Sequence, residues 1–337
     1  MDLAGLEFAA FRFRLKADDR FNLPRFVGST LRGALGISLK KTVCLARDRE
    51  SCTGCLLQPS CVYTYLFETQ KHESVPKFRT ISDIPRPFVI RPIPSQNSSL
   101  LTFDLILIGR AIELIPYLIF SVKRLEKSGL GPKRDRFTLM SVTSLHPEGE
   151  KLIFHAEEES LSGGWFVCSE EQLERRAEEM PDERATIALR SPVRIKSNGR
   201  LVSDLQFHHL IRALLRRISL LALFHCGFEV KADFKRLIEA AEGIRRTGGE
   251  LKWIDLERFS LRQKSRVKMG GLVGEVEFEG DMRPFKKLLA AGEWLHVGKG
   301  CVMGLGRIEV IDGRREESGR ASGREVEGSG GSEIGGR

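Results

Sequence analysis

The feature that most limits the possible folds is an order of predicted elements that occurs twice in the 337-residue chain. In the first half, the alternation of apolar and basic residues in LEFAAFRFRLKA (6–17) predicts a strand, and a helix opens after Pro24. Two strand-like runs, a second helix and a fourth strand follow. The second half repeats this order from ATIALRSPVRIK to LGRIEVI. A strand–helix–strand–strand–helix–strand order predicts an α+β fold with two tandem ferredoxin-like (RRM-like) βαββαβ domains.

The domain boundary is predicted near residue 150, because an acidic and therefore exposed stretch separates the two halves. The first domain would span 1–150, with a four-cysteine insertion at about 44–61. The second would span 151–312 and contain a glycine-rich loop. Residues 313–337 lack aromatic side chains and are rich in Gly, Ser and charged residues, so this tail is predicted to be disordered.

The formal charge of +9 belongs to the two domains, because the tail carries five Arg and five Glu. Such an excess predicts an anionic partner, with nucleic acid favoured over a membrane. The N-terminus has Asp2 and Glu7 where a signal peptide would be basic. The longest apolar stretch is interrupted by Arg110, Glu113 and Pro116, which makes a membrane span costly. We therefore expect a soluble cytoplasmic protein.

Four of the seven cysteines form a C-x7-C-x2-C-x5-C array at Cys44, Cys52, Cys55 and Cys61. In a cytosolic protein such crowding favours a metal over disulfides. The C-x2-C spacing lets one turn offer two thiolates to one ion, and four thiolates predict a closed structural zinc site with no catalytic role. An iron–sulfur cluster accepts the same ligands. Unconnected free cysteines are the remaining alternative.

The longest predicted helix carries a basic face. It lies within SDLQFHHLIRALLRRISLLALFHCG, where Ser203 and Gln206 have the spacing of a capping box and Gly227 marks the end. Arg212 and Arg216 share a polar face, and no acidic residue lies between Leu205 and Gly227. Contact with phosphate is favoured over the alternative, a merely solvated face.

A second basic segment, LERFSLRQKSRVKMGG, follows in the same domain. A strand or hairpin there would present several cations on one face, which predicts further phosphate contacts. The candidates are Arg258, Arg262, Lys264, Arg266 and Lys268.

Glycines cluster in two places. The first helix contains three, beside Arg32 and Lys40 on its polar side, and each costs roughly 1 kcal/mol relative to alanine. This indicates either a closely approaching ligand or close packing. Near the C-terminus, Gly298 and Gly300 flank Lys299 in WLHVGKGCVMGLGRIEV. That segment is neither a P-loop nor a dinucleotide fingerprint, because a strand follows it. It indicates an unusual loop, a packed crossing or a polyanion held by backbone N–H groups.

Taken in order, these motifs resemble the CRISPR-associated pre-crRNA-processing endoribonuclease family of the RAMP superfamily. The resemblance covers nearly everything from residue 6 to 311 and rests on LRGALG, CTGC, PRPFVI, FHHLIRALLRRISLLALFHCG, RFSLRQKSRVKMGGLVGEVEFEG and LHVGKGCVMGLGRIEV. It implies two ferredoxin-like domains, a glycine-rich loop that contacts RNA, and metal-independent cleavage within the CRISPR repeat. The implied partners are repeat RNA or crRNA and other CRISPR effector subunits.

One residue departs from the family. Its members commonly place a catalytic histidine on or just after the first helix, where this chain has Ile37 and Ser38. Three other histidines are then candidates for proton transfer: His296, which adjoins the glycine-rich loop, His225 and His209. The implied reaction is attack of a ribose 2′-OH on the adjacent phosphate, with a general base, a general acid and a cation that stabilises the phosphate charge. A non-catalytic RNA-binding subunit of an effector complex is the alternative, and a zinc-stabilised scaffold without RNA is the third.

Overall fold

The computed structural model describes residues 1–46, 51–69, 83–158, 160–260 and 265–311. Two of the predicted phosphate contacts, Arg262 and Lys264, lie outside the described residues, as does the tail at 313–337. Within the part of the chain that is described, no helix is both long and apolar enough to cross a membrane.

The first domain is a five-stranded antiparallel sheet with helices on one face. Its strands lie in the order β2-β3-β1-β4-β5. The elements are β1 (Phe8–Ala17), α1 (Val27–Val43), α2 (Val62–Phe67), β2 (Phe88–Ile93), β3 (Leu100–Ile108), α3 (Ile115–Ser128), β4 (Phe137–His146) and β5 (Gly149–His155). The predicted strands and helices of this half are thus present, and α2 and β5 are additions.

The alternation in β1 decides which face of this sheet is covered. Phe11, Phe13 and Leu15 are buried in the core that lies beneath α1 and α3. Arg12 and Arg14 lie on the opposite face, because successive side chains of a strand point to opposite sides. The first sheet therefore has one apolar face and one face that is partly basic.

The second domain has the same plan. Its strands lie in the order β10-β13-β6-β14, and β9 also pairs with β13. The elements are α4 (Glu170–Glu179), β6 (Arg184–Val193), β7 (Lys196–Ser197), β8 (Arg200–Leu201), α5 (Phe207–Leu221), α6 (Phe234–Glu242), β9 (Arg245–Gly248), β10 (Leu251–Ile254), β11 (Glu257–Ser260), β12 (Ser265–Lys268), β13 (Gly271–Glu279), α7 (Lys286–Leu295) and β14 (Ile308–Ile311).

Besides the core beneath α1 and α3, a second hydrophobic core contains residues of both domains. Side chains from the open face of the first sheet, among them Phe8 and Ile106, pack with the helices of the second domain. The rings of Phe8 and Trp294 lie 5.5 Å apart, and the Arg91 guanidinium lies 5.3 Å from the Trp294 ring. Helix α7 therefore lies against the first sheet and fixes the relative position of the domains.

Several local predictions differ from the structure. The first sheet continues through β5 to His155, past the boundary expected near residue 150, because β5 pairs with β4. Helix α5 begins after Gln206, whose capping partner is His209, so Ser203 is not the cap. The acidic connection between the domains contains α4, which Ser169 and Gln172 cap and which buries Leu173. The run KWIDLERFS is divided between β10 and β11.

Candidate nucleic-acid interface

The glycine-rich loop, residues 296–307, is packed between the two domains. A β-carbon at Gly304 would lie 2.6 Å from the carbonyl oxygen of Ile90 in β2, and one at Gly298 would lie 2.4 Å from that of Arg194. Both glycines have positive φ, +85° and +82°, which side-chain-bearing residues rarely adopt. These glycines therefore allow another part of the protein backbone to approach closely. Of the three structures that the sequence indicated for this loop, this one is the packed crossing.

Arg194 joins this loop to the β11–β12 hairpin. Its Nη1 donates to the carbonyl oxygens of Lys268 and Gly270, at 3.0 and 2.9 Å. Its own carbonyl accepts from the Lys299 N–H at 2.9 Å. The side chain of Lys299 is exposed, and Gly300 is half-buried. The loop, Arg194 and the base of the hairpin thus form one connected unit.

The β11–β12 hairpin divides the predicted cations between two faces. In its register Arg258 pairs with Val267, whereas Lys268 pairs with Glu257. Since paired residues share a face of a ladder, Arg258 lies on one face and Arg266 and Lys268 on the other. Arg266 and Lys268 are exposed, and Arg266 lies 3.7 Å from Glu257. Arg258 is half-buried and faces the first domain.

Three arginines from both domains converge beside α1. Burial lowers the pKa of Arg32, and the charges of Arg86 and Arg258 lower it further. Neither Arg32 nor Arg258 forms an ion pair with any described residue, and the buried Nε of Arg258 has no hydrogen-bond partner among them. Arg86 is held in place, since it donates to the carbonyls of Phe67 and Ile84 at 3.0 and 2.8 Å. Arg32 and Arg258 are like charges without a carboxylate partner among the described residues, which indicates a site for an anion.

Two stacked rings of α2 lie beside this arginine cluster, which consists of Arg32, Arg86 and Arg258. The rings of Tyr63 and Phe67 are 5.6 Å apart and nearly parallel. The Arg32 guanidinium lies 5.6 Å from the Phe67 ring, and the Lys40 Nζ lies 5.5 Å from the Tyr63 ring. Burial, with the Glu68 carboxylate nearby, raises the pKa of Tyr63 to about 12, so its hydroxyl stays protonated at neutral pH.

His296 lies in the interior. Its side chain is 0% exposed, Nδ1 lies 3.0 Å from the Leu305 carbonyl, and the buried Nε2 has no partner among the described residues. Burial, reinforced by the charge of Arg91, holds its pKa well below the usual value. A side chain without exposed surface cannot exchange a proton with bound RNA, so the structure argues against the predicted catalytic role of His296.

His225 links the two domains. Its Nε2 lies 2.8 Å from the Pro85 carbonyl and its Nδ1 lies 3.2 Å from the Tyr65 hydroxyl. Burial lowers its pKa to about 4. Because both ring nitrogens are occupied by protein, the structure argues against His225 as a proton-transfer group as well.

His209 and the basic face of α5 belong to the second domain. The Nδ1 of His209 accepts from the N–H of Gln206 at 3.2 Å, and burial, with His208 and Arg212 nearby, lowers its pKa. Arg212 is exposed and lies 3.4 Å from Glu242 of α6, an acidic neighbour that the local sequence does not reveal. Arg216 is exposed as well. This face therefore fits a solvated surface as well as it fits a phosphate-binding one.

The four cysteines of the array are free and half-buried. Cys44 ends α1, Cys61 precedes α2, and the N–H of Cys55 donates to the carbonyl of Cys52 at 3.2 Å, which forms the expected tight turn. Within the described ranges, however, no three His, Cys, Asp or Glu side chains come together as a metal site. The arrangement seen here does not fit a four-thiolate site, and the zinc expectation stays a prediction.

Sequence reasoning missed Arg86, Tyr63 and Phe67. Arg86 precedes β2 as an isolated cation, and α2 is too short for a helical period to be visible. These residues meet α1 only through tertiary packing. The one available signal was the presence of three aromatic residues in VYTYLF beside the cysteine array.

Comparison with protein families gives two matches along the chain. A family described as an N-terminal domain matches residues 6–165. The family described as CRISPR-associated endoribonuclease Cas6 matches residues 187–308. This part of the chain belongs to the Cas6 family. The resemblance seen in the sequence motifs is thereby confirmed, and the match ends at β14, after the glycine-rich loop.

Solved Cas6 structures share the fold of the chain. A Cas6 product complex superposes with a TM-score of 0.55 at 17% identity, over 90% of this chain and 99% of that one. Thermus thermophilus Cas6 gives 0.53 at 15% identity, over 91% and 99%. A partial Cas6-RT-Cas1–Cas2 complex gives 0.53 at 13% identity, over 91% of this chain and 46% of that one. At these identities the likeness concerns the fold: a mixed α+β protein with antiparallel sheets.

A sequence relative is an uncharacterized protein of Archaeoglobus fulgidus, 29% identical over 143 residues. The aligned part is 41% of this chain, and the chain spans about half, 48%, of that relative.

Proposed function

We propose that this chain is an endoribonuclease that binds the repeat of CRISPR precursor transcripts in the cytoplasm and cleaves it, without a catalytic metal, to give crRNA. The observation that carries this proposal is the arginine cluster. Arg32 and Arg86 come from the first domain and Arg258 from the second. Arg32 and Arg258 form no ion pair with any described residue, and the charge of Arg86 adds to their repulsion. A bound phosphate would offset that repulsion.

The fold supports this proposal. In each sheet the first and third strands of the βαββαβ order lie in the centre and the second and fourth at their sides. We interpret both units as tandem ferredoxin-like domains, with the cysteine segment inserted between α1 and β2 of the first. The arginine cluster lies where α1 meets the hairpin of the second domain, so an RNA bound there would contact both units.

The chemistry assigned to this site is internal transesterification. The 2′ oxygen forms a bond to the adjacent phosphorus while the bond from phosphorus to the 5′ oxygen breaks, giving a 2′,3′-cyclic phosphate and a 5′-hydroxyl. One proton must leave the 2′-OH and one must reach the departing oxygen. Arg32, Arg86 and Arg258 would stabilise the charge that accumulates on the phosphate oxygens. This role requires no metal ion.

The proposal is tested by cleavage of the cognate repeat RNA in excess EDTA. We expect cyclic-phosphate and 5′-hydroxyl products, and no cleavage when the nucleotide at the cut site is 2′-deoxy. The double variant Arg32→Gln/Arg258→Gln should lose cleavage by roughly 100-fold or more. An Arg175→Gln/Arg184→Gln variant, which changes two exposed arginines of the second domain, is the matched control. Failure to cut the cognate repeat, or full activity of the cluster variant, would contradict the proposal.

A second candidate is a non-catalytic RNA-binding subunit of a CRISPR effector complex, and the placement of the histidines favours it. His225 and His296 are buried, and His209 serves as a helix cap. Single alanine variants of these residues, together with His72, which lies outside the described residues, distinguish the two candidates. A variant that cuts slowly but binds the repeat normally identifies a proton-transfer group. If the unmodified protein binds the cognate repeat tightly and never cuts it, the subunit is the correct description.

A further inference from the structure

A groove between α1 and α3, on the outer side of the first domain, has no part in the function proposed above. Its volume is about 760 Å³. We call it the α1–α3 groove and define it by the side chains used below: Ile37, Lys41, Phe120, Arg124 and Lys127. At its floor the Ser38 hydroxyl donates to the carbonyl oxygen of Ser121 at 2.7 Å, so the two helices are in direct contact there.

Apolar side chains are exposed along this groove. Phe120 is 59% exposed and Ile37 is 49% exposed, on the two opposing helices. Tyr117, also exposed, lies one turn before Phe120 on α3. The buried side of α3 is formed by Leu118, Ile119, Val122 and Leu125. The exposed ring of Phe120 is therefore not part of the domain core.

The cations of the groove have few partners. Lys41, Arg124 and Lys127 form no ion pair with any residue that the structure describes. The one carboxylate that lines the groove, Glu126, lies 3.2 Å from the Lys123 Nζ. It also accepts from the N–H of Leu139 at 2.7 Å. The groove thus combines unbalanced positive charge with an exposed aromatic ring.

We propose that the α1–α3 groove binds a single-stranded segment of RNA. Phosphates contact Lys41, Arg124 and Lys127, and a base stacks on Phe120. Proteins bind single strands in this way, with cations that follow the backbone and aromatic rings that accept bases of any sequence. The proposal rests on the proposed function only in that the chain binds RNA.

Helix α1 connects this groove with the arginine cluster. Arg32 lies in that cluster, and Lys41 lies nine residues further along the same helix, about 14 Å along its axis. Lys40, beside the Tyr63 ring, lies between them on the helix surface. No described residue lies within 4 Å of a β-carbon placed at Gly33, so none of the described side chains blocks the helix surface there. Because residues nine apart lie on opposite sides of a helix, an RNA bound at the cluster would reach the groove by passing around α1, across the surface near Gly33 and Lys40.

The test measures binding of a fluorescein-labelled 20-nucleotide oligouridylate by anisotropy at several KCl concentrations. The triple variant Lys41→Glu/Arg124→Glu/Lys127→Glu should bind at least about 100-fold more weakly at low salt. Its salt slope should fall by about 2, since each phosphate contact with a single strand contributes about 0.7. Phe120→Ala should lose about 5- to 100-fold in affinity with an unchanged slope, because stacking involves no counterion.

A matched control carries the same change in net charge elsewhere. Lys231→Glu/Lys235→Glu/Arg236→Glu alters three exposed cations at and before α6 of the second domain, and its affinity should stay within about threefold. Crosslinking with a 4-thiouridine 20-mer should label the peptide that contains Phe120. Equal losses in the two triple variants, or crosslinks only to other peptides, would overturn the proposal.

Two further outcomes separate this proposal from its neighbours. If the unmodified protein binds neither oligouridylate nor repeat RNA, the proposed function itself fails. If the unmodified protein binds RNA and both groove variants bind it with the same affinity, only the groove proposal fails. Light scattering identifies one other occupant: if Phe120→Asp converts a dimer to a monomer and leaves RNA affinity unchanged, the groove is a contact between two copies of the chain, and the RNA proposal is wrong.

Discussion

Gly28 of α1 lies directly against the Met303 carbonyl of the glycine-rich loop, where a β-carbon at position 28 would come within 1.9 Å of the oxygen. Gly36, two turns further on, faces the Phe67 ring, and its β-carbon would lie 2.9 Å from that ring. At Gly33 no atom of a described residue lies within 4 Å of the same position. The three glycines of this helix thus have different surroundings, and two of them permit close packing of protein against α1.

This difference predicts opposite effects of the same substitution. Gly28→Ala should lower the free energy of unfolding by about 1–3 kcal/mol, because the loop backbone must move. Gly33→Ala should raise it by up to about 1 kcal/mol, because alanine is the better helix former and meets open space. Urea unfolding of both variants measures the two changes. If both substitutions lowered the free energy of unfolding by similar amounts, Gly33 would not be the unpacked position that the structure shows.

The element order was predictable because β1 alternates between buried and more exposed positions over part of its length. The alternation in β1 gives Phe11, Phe13 and Leu15 one buried face, and that period is readable without any tertiary information. For the segment that forms β11 and β12 the sequence predicts a strand or a hairpin, and the structure has a hairpin. Its register could not be predicted, and register decides that Arg258 faces α1 while Arg266 faces solvent.

The site was less predictable because its residues meet only through tertiary packing. Arg32, Arg86 and Arg258 are far apart in the sequence, and each alone looks like an ordinary surface cation. His296 looked suitable because it adjoins a glycine-rich loop. The same loop, wrapped over the end of α7, buries it completely.

The two faces of the β11–β12 hairpin predict different effects on RNA binding. Arg258→Gln removes a charge from the arginine cluster and should weaken binding of the cognate repeat about 10- to 100-fold, the range of a hydrogen bond to a charged group. Arg266→Gln, on the exposed face of the same hairpin, is the control and should change binding less than about threefold. Anisotropy with labelled repeat RNA compares the two variants.

The stability of the Arg258→Gln protein provides an independent check. Removing one of three like charges relieves repulsion with Arg32 and Arg86, so the melting temperature should stay constant or rise. Loss of affinity together with a large loss of stability would instead mean that Arg258 holds the hairpin in place.

The hydrogen bonds of His225 define its protonation state. A carbonyl oxygen only accepts, so Nε2 carries the proton that is donated to Pro85, and Nδ1 is left to accept from the Tyr65 hydroxyl. The His225 ring is therefore neutral in the folded protein. Burial is the main cause of the lowered pKa, and the charges of Arg110, Arg217 and Arg86 act in the same direction.

A lowered histidine pKa makes the folded state sensitive to acid. With a pKa of about 4 when folded and about 6.5 when unfolded, His225 costs no stability above pH 6.5, and stability is lost as the pH falls toward 4. The full loss is about 3 kcal/mol. Urea unfolding between pH 7.5 and 4.5 should show this decline, and His225→Gln should flatten it, whereas His155→Gln, a half-exposed control, should not. A decline as steep in the His225 variant would assign the effect to other groups.

The cysteine array yields the last prediction, in which sequence and structure differ. The spacing of Cys44, Cys52, Cys55 and Cys61 predicts one zinc ion per chain, yet no three of these thiols come together as a metal site among the described residues. Burial raises the pKa of Cys52, which favours the protonated thiol, whereas zinc would hold it as a thiolate. The spacing alone carries the prediction that metal analysis of the purified protein finds about one zinc, and zinc should be absent after Cys52→Ser/Cys55→Ser. Cys226→Ser, outside the array, should retain it. If the unmodified protein contains no zinc and the double variant has the same thermal stability, these residues are free cysteines. A visible absorption band would instead indicate an iron–sulfur cluster.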